Sequence, residues 1–189
     1  PYYKSLYHQL PNKAGALPPD HWLRDPEEGG GRVIGEVCHF IDLISSFTQA
    51  EIRQVYAQKL VGSGESASDE NISVSLRYDE GSLGTISYFA IGDRTFPKER
   101  IEIFGDEKVC IIDDFREAIF SVKGRQKRKR RRPDKGHRNE ISEFLNAVAN
   151  NLPSPIPFPK IVETTIATFQ ILKSLQTGQP VSMPPIESG

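Results

Sequence analysis

The chain has 189 residues, 37% of them hydrophobic, and a formal net charge of −1. That is room for one sizeable domain with its own core, and less than two domains comfortably need. No apolar run approaches the roughly 20 residues that span a bilayer, so no membrane partner is expected. Cys38 and Cys110 lie far apart, form no metal-type spacing and offer at most one bridge, which favours a reduced, cytoplasmic protein. The sequence opens at Pro1 with no charged-then-apolar leader, and is read as a piece of something longer without a secretory signal.

The tyrosine-rich opening, Pro1 to Leu10, reads as an extended edge strand. Pro11 to Asp25 reads as a loop, because Pro11, Asn12, Gly15, Pro18, Pro19 and Asp20 all favour turns. His21 and Trp22 sit in it, and Asp25-Pro26 closes it. Gly29–Gly31 then run into a helix over about Arg32 to Phe47, whose Val33, Val37, Phe40, Ile41 and Ile44 recur at helical spacing and are expected to face the core. Glu36, His39 and Asp42 stand three apart on this helix, near one another on its surface.

From Glu51 the period becomes two. Ile52, Val55 and Leu60 mark one strand. Ile72, Val74, Leu76 and Tyr78 alternate with Asn71, Ser73, Ser75 and Arg77, the mark of a strand with one face buried. Asp79-Glu80-Gly81 turns into a strand over Ser82–Ile91. Arg100–Phe104 and Lys108–Asp113 form a further pair, and Phe115–Val122 reads as the last strand. Ile141, Phe144, Leu145 and Val148 follow the i, i+3, i+4, i+7 template of a helix. Val162, Ile166, Phe169 and Leu172 mark another, stopped by Gly178. Pro153, Pro155, Pro157 and Pro159 form a stiff connection between the two. Helix, strand block, then helices implies an α+β fold: a predominantly antiparallel open sheet with helices packed on one face, one domain over 1–189.

A nucleotide-binding unit needs strand, glycine turn and helix in immediate succession. Here the triple glycine follows a Pro-rich loop, and neither Gly-x-Gly-x-x-Gly nor a phosphate loop occurs. There is also no Gly-x-Ser-x-Gly elbow and no His/Cys cluster of zinc type, so no metal is expected. Lys123, Arg125, Lys127, Arg128, Lys129, Arg130, Arg131 and Arg132 crowd before Pro133. Such a run raises nucleic-acid contacts as a hypothesis. Near-neutral net charge and the lack of interleaved aromatics argue against it, and a charged loop or edge strand that deters edge pairing explains the run more simply.

His21-Trp22 with Asp25-Pro26, Gly29–Gly31 and Gly35-Glu36-Val37-Cys38-His39-Phe40-Ile41-Asp42 together resemble the C-terminal domain of Gfo/Idh/MocA oxidoreductases. The subgroup in view is the one sometimes fused to a zinc-alcohol-dehydrogenase-like domain. Glu102-Ile103-Phe104-Gly105, Asp134-Lys135-Gly136-His137-Arg138 with Glu140, and Pro153–Pro159 with Val162-Glu163 extend the likeness over nearly the whole chain, in the family's order. The resemblance implies a substrate-binding and oligomerisation domain of an NAD(P)-dependent enzyme acting on the CH–OH group of a sugar, cyclitol or related alcohol. It implies that NAD or NADP is held mainly by a Rossmann domain absent from these residues, that the chain is inactive alone, and that a homo-oligomer forms through the sheet. The alternative is a noncatalytic self-association module of the same fold.

His39 matches the family's active-site histidine, and an imidazole of ordinary pKa about 6.5 suits proton exchange with an alcohol. Many members carry an aspartate four residues earlier. Here that position is Gly35, with Glu36 one residue on, and one residue rotates a side chain about 100° around a helix. Asp42 either orients His39 or is a solvated helix-end carboxylate. Gly30 and Gly31 either let backbone approach a ligand or only break the chain before the helix. His21 and Trp22 either cover the substrate, the indole stacking on a sugar ring, or pack as a lid. Lys135, His137 and Arg138 either bind an anionic substrate or form a solvated helix start.

Overall fold

The computed structural model describes residues 3–9, 22, 25, 28–60, 71–93 and 95–186, with backbone only for 3–9. The predicted loop over Pro11–Asp25 lies outside these residues except for Trp22 and Asp25, and His21 lies outside with it.

The two-residue alternation builds a sheet. In β3 (Asn71–Tyr78) Ile72, Val74, Leu76 and Tyr78 are buried, while Ser73 and Arg77 face out. β4 (Leu83–Phe89) repeats the pattern with Gly84, Ile86 and Tyr88 inward. With β1 (Tyr3–Gln9), β2 (Ile52–Lys59), β5 (Glu99–Gly105), β6 (Lys108–Asp113), β7 (Glu117–Val122), β8 (Arg125–Arg130) and β9 (Val181–Ser182) they form a nine-stranded sheet in the order β8-β7-β6-β5-β1-β4-β3-β2-β9. Every pairing is antiparallel except β1 with β4.

Two readings of the sequence change here. The opening segment is a strand but not an edge: β1 lies between β4 and β5 and joins the two antiparallel blocks. Edge or centre is decided by distant pairing partners, which local composition does not encode. The sheet also continues past Val122, because Lys123-Gly124 make a two-residue turn with φ of 48° and 71° and return the basic run as β8. Positive φ at both central residues gives the turn that suits the right-handed twist of a hairpin.

One face of the sheet carries the helices. A π-helical turn over Val33–Val37 leads into α1 (Cys38–Thr48), and Val33, Val37, Phe40, Ile41 and Ile44 are buried as their spacing predicts. α3 (Phe158–Thr177) packs on β2 and α1, with Gly178 at φ 68° closing it. Its buried stripe is Glu163, Thr164, Ala167, Thr168, Ile171 and Ser174; of the four residues whose spacing marked the helix, Leu172 packs partly buried against the core and Phe169 is exposed. The polar members are held: Ser174 Oγ accepts from Ala57 N at 2.9 Å and donates to Gln179 O at 2.7 Å. α2 (His137–Ala149) stands apart, with only Ala147 buried and Ile141, Phe144, Leu145 and Val148 all more than half exposed.

Candidate functional site around His39

The entry to α1 begins with a turn in which the Asp25 carbonyl accepts from both Gly29 N and Gly30 N at 2.9 Å. Gly30 and Gly31 then take φ of 64° and 80°, a region costly for residues with a Cβ. A Cβ on Gly30 would also meet Ile34 Cδ1 at 2.8 Å, whereas one on Gly31 meets open space. The glycines therefore serve their own turn. Two amides that a phosphate cradle would need are directed at Asp25.

The chain next winds as a π-helix, a turn wider by one residue and frequent at functional sites. Gly35 lies within it and His39 just beyond it, and both are exposed. Residues three and four apart on a helix are neighbours, so Gly35 leaves one position beside the imidazole without a side chain, while Glu36 occupies the other. Glu36 and Asp42 are half-buried, and neither forms a hydrogen bond or ion pair with His39. Their fields do meet at Cys38 between them: burial pushes that thiol up first, and Glu36 and Asp42 push it further, against a backbone hydrogen bond at His39.

Beneath this turn lies a pair the sequence reading missed. Buried Arg32 donates from Nη1 to Tyr88 Oη at 3.2 Å, and the Tyr88 ring sits 6.3 Å from that of Phe40, centre to centre. The helix entry is thus tied to β4. The alternation of β4 marked Tyr88 as inward, but nothing local paired it with an arginine 56 positions earlier. On the other side of α1, Ser45 Oγ and Tyr78 Oη are hydrogen-bonded at 3.1 Å.

The remaining predicted residues fall elsewhere. Trp22 is 58% exposed, and its carbonyl accepts from Asp25 N at 3.1 Å. Lys135 forms an ion pair with Glu99 at 2.7 Å and lies 5.3 Å above the Phe115 ring, a strut between β5 and the entry to α2. His137 and Arg138 are exposed on the first turn of α2, with His137 Nδ1 at 3.8 Å from Glu140. α1 packs on α3, β1 and β4, while α2 makes no substantial contact with any other described element. The structure keeps Glu36, His39 and Asp42 on one helix and places Lys135, His137 and Arg138 on a separate support. Among the described residues no group of three or more His, Cys, Asp or Glu side chains is placed to hold a metal ion. No described helix is long and apolar enough to cross a membrane.

The sequence profile of the GFO/IDH/MocA C-terminal domain matches residues 4–110, from β1 into β6 and through the His39 helix. The chain belongs to this family of oxidoreductase domains. No curated protein matches it. Solved structures share its fold at low identity. UDP-N-acetylglucosamine 3-dehydrogenase GnnA from Acidithiobacillus ferrooxidans superposes with a TM-score of 0.73 at 18% identity, over 92% of this chain and 53% of its own. Aldose-aldose oxidoreductase from Caulobacter crescentus, complexed with glycerol, gives 0.77 at 12% identity, over 96% and 55%. A Desulfitobacterium hafniense protein named as an NADPH-dependent oxidoreductase gives 0.78 at 14%, over 95% and 56%. This GFO/IDH/MocA domain therefore spans just over half the length of each of these structures.

Proposed function

We propose that the chain is the substrate-binding domain of an NAD(P)-dependent oxidoreductase acting on the CH–OH group of a sugar, cyclitol or related alcohol. The observation that carries this reading is His39, exposed on the profile-matched helix beside the side-chain-free position of Gly35. An alcohol approaching that gap meets an imidazole nitrogen able to take the hydroxyl proton as the carbon is oxidised and to return it on reduction. Glu36 and Asp42 flank His39 three residues to either side on the helix, and the Arg32–Tyr88 pair holds the helix entry in place. Bound NAD or NADP supplies the hydride acceptor. The Gly29 and Gly30 amides are already taken by Asp25, which supports a cofactor held by another domain and a chain inactive alone. GnnA and the Caulobacter enzyme are named for sugar chemistry, which supports a sugar-like substrate here.

The test is turnover of NAD(P)H or NAD(P)+ with a sugar panel, using the gene product that carries this domain together with its nucleotide-binding domain. His39→Ala is expected to lower kcat by about 10²–10⁴, the usual share of general acid–base catalysis, with cofactor affinity unchanged. An unaltered rate removes His39 from the mechanism. The 189-residue chain by itself is expected to bind NADH and NADPH more weakly than about 100 μM. Micromolar affinity would overturn the two-domain division.

A second reading, a noncatalytic self-association module, draws on the sheet's outer face. There Phe104, Val109, Ile111 and Ile119 are half-buried, and no described helix makes a substantial contact with their strands β5, β6 and β7. The two readings are separated by the His39→Ala rate and by the mass of the protein in solution. An active monomer excludes the module, and an inactive oligomer favours it.

A further inference from the structure

β8 is an edge strand of six residues, Arg125–Arg130, all exposed, and its charges are not used alike on its two faces. Successive side chains of a strand point to opposite faces. On the outer face Arg130 is bound to Glu117 at 2.8 Å, and Arg128 reaches Gln126 at 3.3 Å. On the inner face Lys127 and Lys129 have no acidic partner among the described residues. Nor does Arg131, which extends the same row and is fixed by its amide to Arg116 O at 2.9 Å.

Phe115, Ala118, Phe120, Lys129 and Arg131 line an open pocket of about 280 Å³ beside this row. Phe120 leaves 41% of its surface exposed there. Two other charged residues line it and both are occupied: Arg116 is paired with Asp114 at 3.0 Å, and Glu117 with Arg130. Hence the pocket presents unneutralised cations and no competing carboxylate. Deterrence of edge pairing explains charge on either face of an edge strand. It does not explain why Arg130 on the outer face has an acidic partner and the inner cations have none, nor why Lys129 and Arg131 line one pocket with Phe115 and Phe120.

We propose that this pocket binds a small aromatic phosphate ester of the nucleoside diphosphate class. Its flat ring lies on Phe120, and its phosphate oxygens accept hydrogen bonds from Lys129 and Arg131. Charge-assisted bonds to phosphate are the strong ones, and Arg offers a bidentate fork. A pocket of this size takes one ring and its phosphates rather than a long chain. The assignment is independent of the role given to His39.

The experiment is calorimetric titration of the 189-residue protein at low ionic strength with UDP, inorganic pyrophosphate and uridine. UDP is expected to bind at about 10–500 μM, and each half-ligand at least about tenfold more weakly. Lys129→Glu with Arg131→Glu is expected to weaken UDP by at least about tenfold. Phe120→Ala is expected to weaken UDP about fivefold or more, the share of one stacked base, and pyrophosphate less than twofold. Arg128→Gln, on the outer face and hydrogen-bonded only to Gln126, is expected to change neither. All these sites are exposed, and circular dichroism checks that each variant is folded. No heat with UDP up to about 5 mM, or equal loss from inner and outer variants, would overturn the proposal. So would binding of anionic vesicles or poly(U) without binding of UDP.

Discussion

The carboxylate of Glu163 accepts the amide hydrogen of Ile52 at 2.8 Å, across 111 positions of sequence. Its other oxygen lies 2.9 Å from Lys160 Nζ, which also donates to Ala50 O at 2.8 Å. One buried acid on α3 therefore holds the junction where α1 gives way to β2. A buried charge is tolerated only when paired and hydrogen-bonded, and removal of the partner leaves a large desolvation penalty.

Glu163→Ala strands both the Ile52 amide and the Lys160 ammonium, so a loss of about 3–5 kcal/mol is expected. Glu163→Gln retains an acceptor for Ile52 and loses only the charge pairing, so about 1–2 kcal/mol is expected. Urea denaturation of the 189-residue domain measures both. Equal losses would show that the ion pair, and not the amide contact, carries the effect.

Gly84 occupies an inward position on β4 where a Cβ would lie 2.8 Å from Ile44 Cγ2 and 3.3 Å from its Cδ1. The helix bearing His39 is thereby seated against the strand at glycine distance. Gly84→Ala is expected to destabilise by about 1–3 kcal/mol through overpacking. Combined with Ile44→Ala it should lose clearly less than the sum of the single changes, because the second substitution removes both clashing atoms. Additive losses would place the strain elsewhere.

Tyr78 gives a pH dependence of known sign. Burial raises its phenol well above the ordinary value of about 10, the nearby Glu163 and Glu80 carboxylates add to the rise, and the hydrogen bond with Ser45 partly opposes it. The unfolded chain thus releases this proton near pH 10 while the folded chain keeps it. Stability from this group is complete below about pH 10 and falls above it, by about 1.4 kcal/mol per pH unit. Denaturation midpoints between about pH 8 and 11.5 test this, with Tyr78→Phe as the reference. The variant loses the Ser45 bond, worth about 1 kcal/mol, at every pH. It should lack the extra alkaline slope, and identical slopes would refute the assignment.

Where burial and period coincided, the fold was legible from the chain. Val33, Val37, Phe40, Ile41 and Ile44 on the first helix, and Ile72, Val74, Leu76 and Tyr78 on β3, are buried as their spacing demands. α3 was legible as a helix but not as a face. Its stripe of Glu163, Thr168 and Ser174 is buried because each side chain meets a partner supplied by distant or neighbouring backbone. The central place of β1 and the Arg32–Tyr88 contact likewise depend on pairings between remote segments. His39 stood out through its family motif and its place off the apolar face, whereas the π-turn that carries Gly35 is one no periodicity signals. Gly35 bears on that turn, since glycine is a poor α-helix former and relaxes the winding locally.

The four apolar residues of α2 are the clearest departure from what a lone soluble domain requires. Ile141, Phe144, Leu145 and Val148 lie on one side of the helix and are 59%, 58%, 59% and 61% exposed. Their i, i+3, i+4, i+7 spacing is that of a packed face, yet α2 makes no substantial contact with another described element. A contiguous exposed apolar patch marks a surface that is covered in use or that associates when left open. In the 189-residue domain, Leu145→Glu with Val148→Glu is therefore expected to change folding stability by less than about 0.5 kcal/mol, as for surface sites. The same pair of changes should lower hydrophobic-dye binding and concentration-dependent association. Dye fluorescence and sedimentation at several concentrations, beside urea denaturation, separate the outcomes. A loss of several kcal/mol would mean that this face is already packed within the domain.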